Sequence, residues 1–457
     1  MRLLSSARNS SLSRISFSPQ RRGAAYPLLS VFLASQWSAL FATKTQLQDR
    51  GVIGGRASRE FFLSAPWRLR STGRTERVTM AASCEFSTAA TMSTTADALG
   101  RYATLLRGDW ALGSGSAAIE RLVPDLSGDH YKGQLGRVGV FGGSKDYTGA
   151  PFFASMSALR TGADLAYVLT AEEAAPALKV YSPELMVSPV YSAAQLSGEP
   201  DELLDNAKPL LRKLHALVLG PGLGRSERLK TSLLAVVSYA RQQHLPISVD
   251  ADALAMVASG GEYNDRESKD DDTPPNADRD IPDKQSATMN LADYPWTVLT
   301  PNANEFRLLY RGYLGANPSV GADEEGADPG SSSMEAVERL AKALGVTIVL
   351  KGKVDVLSNG TRTISCAVPG GLKRCGGIGD VLSGTMGTMM AWVSIQGFQG
   401  DEAEEMQLWA AWWACAVTRH ASRLAYETHG RAMSATHVLE QIGGVLEGVA
   451  PSPSVQG

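Results

Sequence analysis

The chain has 457 residues, a formal net charge of −3 and a sequence pI near 6.1. Nucleic acids usually select a strongly basic face, so this charge balance argues against a nucleic-acid partner. The four cysteines and six histidines show none of the close spacings that zinc motifs need. We therefore predict reduced thiols in an intracellular compartment and no zinc site.

The first 100 residues are predicted to be an organelle-targeting leader and a disordered linker. Residues 1–48 contain no Asp or Glu but carry several arginines among many serines, which is typical of a transit peptide. A mitochondrial destination is the first expectation and a plastid the second, while a start at Met80 would give a cytosolic form. The apolar residues 24–42 keep a secretory route open, but Pro27 and several polar residues within them argue against a membrane span.

Between residues 101 and 450, short apolar runs alternate with amphipathic stretches. This alternation predicts a three-layer α/β/α fold around a central, mostly parallel sheet. Two segments without apolar periodicity, 262–295 and 315–333, are predicted to be polar insertions, and 451–457 a disordered tail. Strands are predicted at 137–141, 164–169, 216–219, 246–249, 297–300 and 346–350, a hairpin at 355–367, and helices at 151–163, 229–243, 251–258 and 406–425.

The glycine-rich and polar signatures of the chain each follow a predicted strand. In open α/β sheets ligands bind beyond the carboxyl ends of the strands, so these loops should form one ridge. The segment Gly-Pro-Gly-Leu-Gly at 220–224 is interrupted by a proline and makes a poor dinucleotide fingerprint, which argues against a Rossmann cofactor site. The loops expected on the ridge are 142–143, 220–224, Asp250, 302–305, 351–352 and the loop that ends at Asp380.

The most informative of these loops is Arg374-Cys375-Gly376-Gly377-Ile378-Gly379-Asp380. Glycines let backbone N–H groups converge, and at the start of a helix these donors and the helix dipole form an anion site. An aspartate beside a bound phosphate can accept the proton of an attacking hydroxyl. The residues alone leave a second interpretation open, in which the loop is an ordinary turn and Asp380 a helix N-cap.

Other loops on the ridge hold residues suited to a metal or a phosphate. Asn302 and Glu305 offer the oxygen ligands that Mg²⁺ prefers, although the same two residues equally suit a helix cap. Lys351, at the end of a predicted strand, can reach a phosphate as a point charge. Asp250 and Asp252 have two interpretations. Both lie close to the metal, or at least one of them caps a helix.

These segments together resemble the ATP-dependent NAD(P)H-hydrate dehydratase family, a branch of the ribokinase-like superfamily. The resemblance extends from Lys132 to the C-terminal helices and does not cover residues 1–100 or the two polar insertions. Many separate matches in register are more specific than any single motif. The matching segments are 132–137 (KGQLGR), 142–144 (GGS), 147–151 (YTGAP), 162–164 (GAD), 181–185 (YSPEL), 220–224 (GPGLG), 250–252 (DAD), 301–302 (PN) with 305–306 (EF), 351–352 (KG) with Asp355, 374–377 (RCGG) with 379–380 (GD), and 429–431 (HGR).

The resemblance implies a ribokinase-like fold and the repair of a damaged cofactor. The S-form of hydrated NADH or NADPH would lose water at the expense of ATP, giving ADP and phosphate. Asp380 would be the catalytic base, and Mg²⁺ would be held by Glu305, directly or through water. The implied substrate contacts are Gly162, Asn302, Ala303, Asn304, Glu305, Phe306, Arg307, Leu308 and Asp380. The implied ATP contacts are Lys351, Gly352, Lys353, Val354, Asp355, Gly370, Gly371, Leu372, Lys373, Arg374, Cys375, Gly376, Gly377, Ile378 and Gly379.

The implied partners are therefore small molecules, with neither nucleic acid nor a membrane among them. No epimerase domain is apparent before Arg101, so any epimerase would be a separate protein. A homo-oligomer stays an open alternative.

Two other functions stay open on the residues alone. A small-molecule kinase of the same superfamily would also use Glu305 and Asp380, although the segments 132–134 and 147–151 favour the dehydratase. A nucleotide-binding protein without catalysis is the second alternative. The family usually has Gln where this chain has Ile378, so a side-chain amide contact would be lost while the backbone donor survives. The retained Asp380 argues against the inactive alternative.

Overall fold

The computed structural model describes residues 114–126, 130–197, 199–258, 291–318 and 331–450. The predicted leader, the tail and most of both predicted insertions lie outside these residues. A nine-stranded sheet with the order β3-β2-β1-β4-β5-β6-β7-β8-β9 organises the described part of the chain. The strands are β1 (Arg137–Phe141), β2 (Leu165–Ala171), β3 (Met186–Tyr191), β4 (Ala216–Leu219), β5 (Ile247–Val249), β6 (Thr297–Leu299), β7 (Thr347–Leu350), β8 (Asp355–Ser358) and β9 (Thr363–Cys366).

Strands β1 to β7 run parallel, while β8 pairs antiparallel with β7 and β9 pairs antiparallel with β8. The predicted mostly parallel sheet and the hairpin at its edge are confirmed. The chain adds β2 and β3 on one side of β1, then places β4 to β9 on the other side. This reversal of direction creates a switch point between β1 and β4, where the carboxyl ends of open sheets usually bind ligands.

Alternating side chains of the strands divide the core into two layers. In β4, Ala216 and Val218 face one apolar cluster, while Leu217 and Leu219 face another. Helices cover both faces, which confirms the three-layer architecture. The helices on the first face are α1 (Ser114–Leu122), α2 (Gly149–Thr161), α9 (Ile378–Ile395), α10 (Gly400–His429) and α11 (Ala435–Glu447), and α3 (Ala175–Tyr181) packs beside β2. The helices on the second face are α4 (Pro200–Leu211), α5 (Glu227–Gln242), α6 (Asp252–Ala258), α7 (Ala303–Leu314) and α8 (Ser331–Leu344).

Helix α9 is held firmly inside the first layer. All its residues from Val381 to Val393 are buried. Gly384 permits this position, because a β-carbon there would lie 1.8 Å from the carbonyl oxygen of Ala154 on α2. Any larger residue would push the two helices apart. The packing of α9 therefore fixes its first turn, which contains Asp380, at the carboxyl ends of the strands.

The structure differs from the expected elements in a few places. The apolar pattern does not predict β3, which is an edge strand with a proline and partly exposed residues. Helix α10 has 30 residues and extends beyond both ends of the predicted 406–425. Both predicted insertions extend too far at their C-terminal ends. Leu291 and Tyr294, within the predicted 262–295, are buried in the core, and α8 begins at Ser331, within the predicted 315–333.

Candidate active site

The centre of the candidate site is an ion pair at the ends of β5 and β7. The Nζ atom of Lys351 lies 2.7 Å from Oδ1 of Asp250, and Thr300 donates a hydrogen bond of 2.9 Å to the same oxygen. Asp250 is buried, with 2 % of its surface exposed. Burial alone would lower the pKa of Lys351, but Asp250 and Glu305 raise it above its ordinary value. Lys351 is therefore a fixed cation at this edge of the sheet.

Asp380 enters the site from the first turn of α9. Burial raises the pKa of Asp380 to about 7, the negative charge of Asp250 adds to the rise, and Lys351 partly offsets it. Within the described residues its carboxylate accepts no hydrogen bond, while its main-chain carbonyl accepts one from Ser383. A carboxyl group poised near neutral pH beside an anion site is suited to act as a general base.

The glycine loop has the backbone geometry expected of the predicted anion site. Gly377 is the N-cap of α9 and has a φ of +94°, and a β-carbon on it would lie 2.7 Å from Cβ of Ala435. A β-carbon on Gly376 would meet nothing within 4 Å, so this side of the loop faces open space. The first N–H groups of α9 have no partner inside the helix and are free to bind an anion there. The alternative interpretation of Asp380 as the N-cap is wrong.

Ile378 begins α9 and packs as a partly buried side chain against the core beneath the loop. Its side chain is therefore a packing residue, and its backbone belongs to the first turn of the helix. This position agrees with the expectation that the backbone donor survives the departure from the family's usual Gln.

Asn302 and Glu305 form a complete capping box at the start of α7. Asn302 accepts the backbone N–H groups of Asn304 and Glu305 through Oδ1, and Oε2 of Glu305 accepts the N–H of Asn302 at 2.7 Å. The helix-cap interpretation is thus confirmed for Asn302. Burial raises the pKa of Glu305 above its ordinary value, and Lys351 offsets part of this rise. The capping box uses Oε2, so Oε1 is the oxygen that remains for a ligand.

The other predicted substrate residues on α7 differ in their exposure to solvent. Ala303 and Asn304 are exposed, and Arg307 donates a hydrogen bond of 2.9 Å to Asn304. The side chain of Phe306 is fully buried in the second core cluster, so only its backbone could contact a ligand. A cavity of about 150 Å³ opens beside the capping box and shares two carboxylates with the acidic site. It is lined by Arg225, Ala251, Asp252, Leu254, Ala255, Glu305 and Leu308.

Gly162 is not brought to this site. It caps the C-terminus of α2 and precedes β2, so it lies at the amino end of the sheet. A β-carbon on Gly162 would lie 3.2 Å from the ring of Trp392. Trp392 follows Asp380 by twelve residues along α9, which corresponds to about 18 Å of helix. In this structure Gly162 is a helix-cap and packing residue, and its substrate contact stays a prediction.

The predicted ATP residues include several whose side chains already have structural partners. Lys373 donates hydrogen bonds of 2.7 Å to the carbonyl oxygens of both Arg431 and Met433, which ties the loop to the end of α10. Asp355 is buried and pairs with Arg419 at 2.9 Å. The remaining positions can offer only backbone or exposed side chains to a nucleotide. The exposed ones are Gly352, Lys353, Leu372, Arg374 and Gly376, and the partly exposed ones are Val354, Gly370, Gly371, Cys375 and Gly379.

Asp252 orders a neighbouring loop and adds charge to the site. Its Oδ2 accepts the N–H of Gly224 at 2.9 Å, and its Oδ1 lies 3.6 Å from Nε of Arg225. Gly220, at the start of the same loop, has a φ of +128°, and a β-carbon on it would lie 1.8 Å from the carbonyl oxygen of Asp250. The glycines of 220–224 thus allow two loops to pack closely at the switch point.

Sequence reasoning missed two residues of the site, Thr300 and Arg419. Thr300 closes the strand before Pro301 and holds Asp250, but a threonine at the end of a strand carries no distinctive signal. Arg419 carries no local signal either, because its backbone partners lie 51 to 67 residues away in the chain. No described helix is long and apolar enough to cross a membrane.

A glycine loop at a helix start, a base in the first turn and a lysine at a strand end are typical of phosphoryl-transfer enzymes with an α/β fold. Solved structures show the same fold. A ribokinase-like superfamily protein from Enterococcus faecalis aligns with a TM-score of 0.50 and 18% identity, covering 73% of this chain and 95% of that one. A hypothetical protein from Streptococcus mutans aligns with a TM-score of 0.51 and 19% identity, covering 74% and 99%. The fold is ribokinase-like.

Sequence comparisons define the family more closely. The family model described as NAD(P)H-hydrate dehydratase matches residues 138–274 and 285–443. A Homo sapiens protein named ATP-dependent (S)-NAD(P)H-hydrate dehydratase is 37% identical over 326 residues, covering 71% of this chain and 81% of the relative. A Schizosaccharomyces pombe protein of the same name is 35% identical over 335 residues, covering 71% and 90%. This chain belongs to the NAD(P)H-hydrate dehydratase family, which confirms the resemblance found in its motifs.

Proposed function

We propose that this chain is an ATP-dependent (S)-NAD(P)H-hydrate dehydratase, which restores NADH or NADPH from the hydrated S-form and releases ADP and phosphate. The observation that carries the proposal is the placement of Asp380. Its carboxyl group has a pKa of about 7, lies in the first turn of a helix behind a glycine loop, and shares its site with Lys351. Family membership supplies the substrate class.

The chemistry begins with the hydroxyl group of the hydrated ring, which is a poor leaving group. Asp380 accepts the hydroxyl proton while the oxygen forms a bond to the γ-phosphorus of ATP and the bond between that phosphorus and ADP breaks. The backbone N–H groups at the start of α9 bind the charge that develops on the phosphoryl oxygens. The carbon–oxygen bond then breaks with phosphate as the leaving group. Loss of a proton from the neighbouring carbon restores the double bond of the dihydronicotinamide.

The cation Lys351 and the loop after it are proposed to face the ATP phosphates. A β-carbon on Gly379 would lie 3.8 Å from Nζ of Lys351, so the ammonium group lies next to the backbone of the glycine loop. Two sources of positive potential, the ammonium and the helix N-terminus, therefore converge on the same space. Gly379 leaves that space free of a side chain.

A magnesium ion fits the donor set at this edge. The described residues contain no group of three or more His, Cys, Asp or Glu side chains arranged to hold a metal. Magnesium does not need such a cage, because it commonly binds one or two carboxylates together with phosphates and several waters. Glu305, through Oε1, is the residue proposed to hold it. The ion would neutralise charge on the phosphates during transfer.

The test uses the full chain, hydrated NADH and Mg-ATP. Absorbance in the NADH band should rise, and ADP and inorganic phosphate should form in equal amounts with NADH. The R-form of the hydrate should be consumed only after a separate epimerase is added. Accumulation of a stable phosphoester without NADH would instead identify a small-molecule kinase. Absence of both products would leave the chain without the proposed activity.

A further inference from the structure

Arg419, near the middle of α10, contacts the backbone at two separate places beside the candidate site. Its Nε donates to the carbonyl oxygen of Val368 at 2.6 Å. Its Nη1 donates to the carbonyl oxygen of Gly352 at 3.2 Å, and its Nη2 donates to that of Lys353. Val368 follows β9, whereas Gly352 and Lys353 follow β7. A single guanidinium group therefore joins two loops that are separated in the chain.

A buried carboxylate completes this arrangement. Nη1 of Arg419 lies 2.9 Å from Oδ2 of Asp355, and the two side chains are only 17 % and 6 % exposed. The other oxygen of Asp355 accepts the N–H of Gly352 at 2.9 Å, which closes the turn between β7 and β8. Asp355 therefore holds both the guanidinium group and the turn. The pair is too well sealed to be an incidental surface contact.

The two loops that Arg419 joins are the two stretches expected to bind ATP. One is the turn 351–355, whose first residue is the cation Lys351. The other is the segment that runs from Val368 through 370–379 to Asp380. Lys373 anchors the far part of the second loop through the carbonyl oxygens of Arg431 and Met433. Arg419 therefore lies where it can fix the distance between the turn that contains Lys351 and the glycine loop.

We propose that Arg419 is a positioning residue that holds the two ATP-binding loops in register without touching the nucleotide. This role rests on the proposed function, because it assumes that both loops bind ATP. A planar guanidinium with five fixed donors can serve three carbonyl oxygens and a carboxylate together. A lysine ammonium at the same position can keep the charge beside Asp355 but cannot reach all of these acceptors.

The first test compares Arg419→Lys with the wild-type full chain. The cation remains beside Asp355, so the variant should fold with a similar melting temperature. We expect the Kd and the KM for Mg-ATP to rise by about 10- to 100-fold, because loop misplacement weakens phosphate positioning. The KM for hydrated NADH should change by less than about twofold on the same reasoning. Equal rises in both KM values, or no rise in either, would overturn the positioning role.

A second variant covers the case in which Arg419→Lys does not fold. The double substitution Asp355→Asn with Arg419→Gln removes both charges and leaves no unpaired buried ion. It should also weaken ATP binding selectively. The matched control is Arg423→Lys, one turn further along α10, where the arginine lies 2.8 Å from Glu427 on the partly exposed surface. This control should leave both KM values unchanged.

Direct titration with Mg-ATP separates this proposal from the proposed function. Wild-type protein that binds Mg-ATP but does not restore NADH would contradict the dehydratase activity and still allow the effect of Arg419 on binding to be measured. Wild-type protein that does not bind Mg-ATP would overturn both. Selective loss of ATP affinity in Arg419→Lys, with a normal control, would support the positioning role.

Discussion

Two aspartates that each follow a glycine-containing turn have opposite surroundings in this protein. Asp164, at the amino end of the sheet, accepts the backbone N–H groups of Gly133 and Leu135 at 2.8 and 3.0 Å through one oxygen. Asp380, at the carboxyl end, is similarly half-buried, but it lies near Asp250 and Lys351 and its pKa is raised to about 7. The first carboxylate accepts two backbone hydrogen bonds, whereas the second accepts none among the described residues.

Hydrogen bonding distinguishes the two aspartates. A carboxylate that accepts hydrogen bonds from two backbone N–H groups stabilises the loop that contains them. A carboxylate that is partly buried among other acids is unfavourable for the fold unless a ligand uses it. The same edge of the sheet also concentrates the polar loops, as the rule for open α/β sheets requires.

The largest expected effect is on turnover. Asp380→Asn should lower kcat by about 100- to 10,000-fold, because general-base catalysis is lost, while Mg-ATP still binds. The matched variant Asp164→Asn should keep kcat near the wild-type value and lower the free energy of unfolding by about 1 kcal/mol through weaker loop hydrogen bonds. Rates of NADH formation and titration with Mg-ATP measure the two effects. Normal turnover in Asp380→Asn would remove Asp380 from the role of base.

Asp380→Asn should also be more stable than the wild type at alkaline pH. A carboxyl group with a folded-state pKa of about 7, above its ordinary 3.8, weakens the fold as pH rises between these values. Asp380→Asn removes this cost, so its melting temperature should exceed that of the wild type at pH 8 and match it near pH 4. The melting temperature should rise by about 2–4 °C for each kcal/mol by which the substitution increases the free energy of unfolding. A lower melting temperature for Asp380→Asn at pH 8 would contradict this account.

The pH profile gives the next largest effect. For the free enzyme, kcat/KM should rise as Asp380 loses its proton near pH 7. Asp250→Asn removes a negative charge that raises this pKa, so the midpoint should move to lower pH. Lys351→Met removes a positive charge that lowers it, so the midpoint should move to higher pH.

The control for these shifts is Lys208→Met, which removes a lysine paired with Asp205 on α4. Its midpoint should stay at the wild-type value. Midpoints that move in the same direction for Asp250→Asn and Lys351→Met would show that Asp380 does not set the profile.

Local sequence patterns were enough to predict the strands next to the site and a helix after the glycine loop, because each depends on neighbouring residues. Arg419 could not be found in this way, since its role depends on a contact across 66 residues between α10 and a β-turn. Gly162 differs from the other predicted substrate residues in its place in the fold. Family resemblance assigns it to the substrate, but it precedes a strand whereas the loops of the candidate site follow strands.

The smallest expected effect concerns Ile378. Its side chain packs against the core, and its N–H belongs to the first turn of α9, so the anion site does not depend on the side chain. Ile378→Gln should lower the free energy of unfolding by about 1 kcal/mol through lost apolar burial. The KM for Mg-ATP should change by less than the roughly tenfold that one strong hydrogen bond supplies. Ile378→Val, which keeps an apolar side chain, should leave both quantities near wild type. A KM for Mg-ATP that falls more than tenfold in Ile378→Gln would show that a side-chain amide contributes at this position.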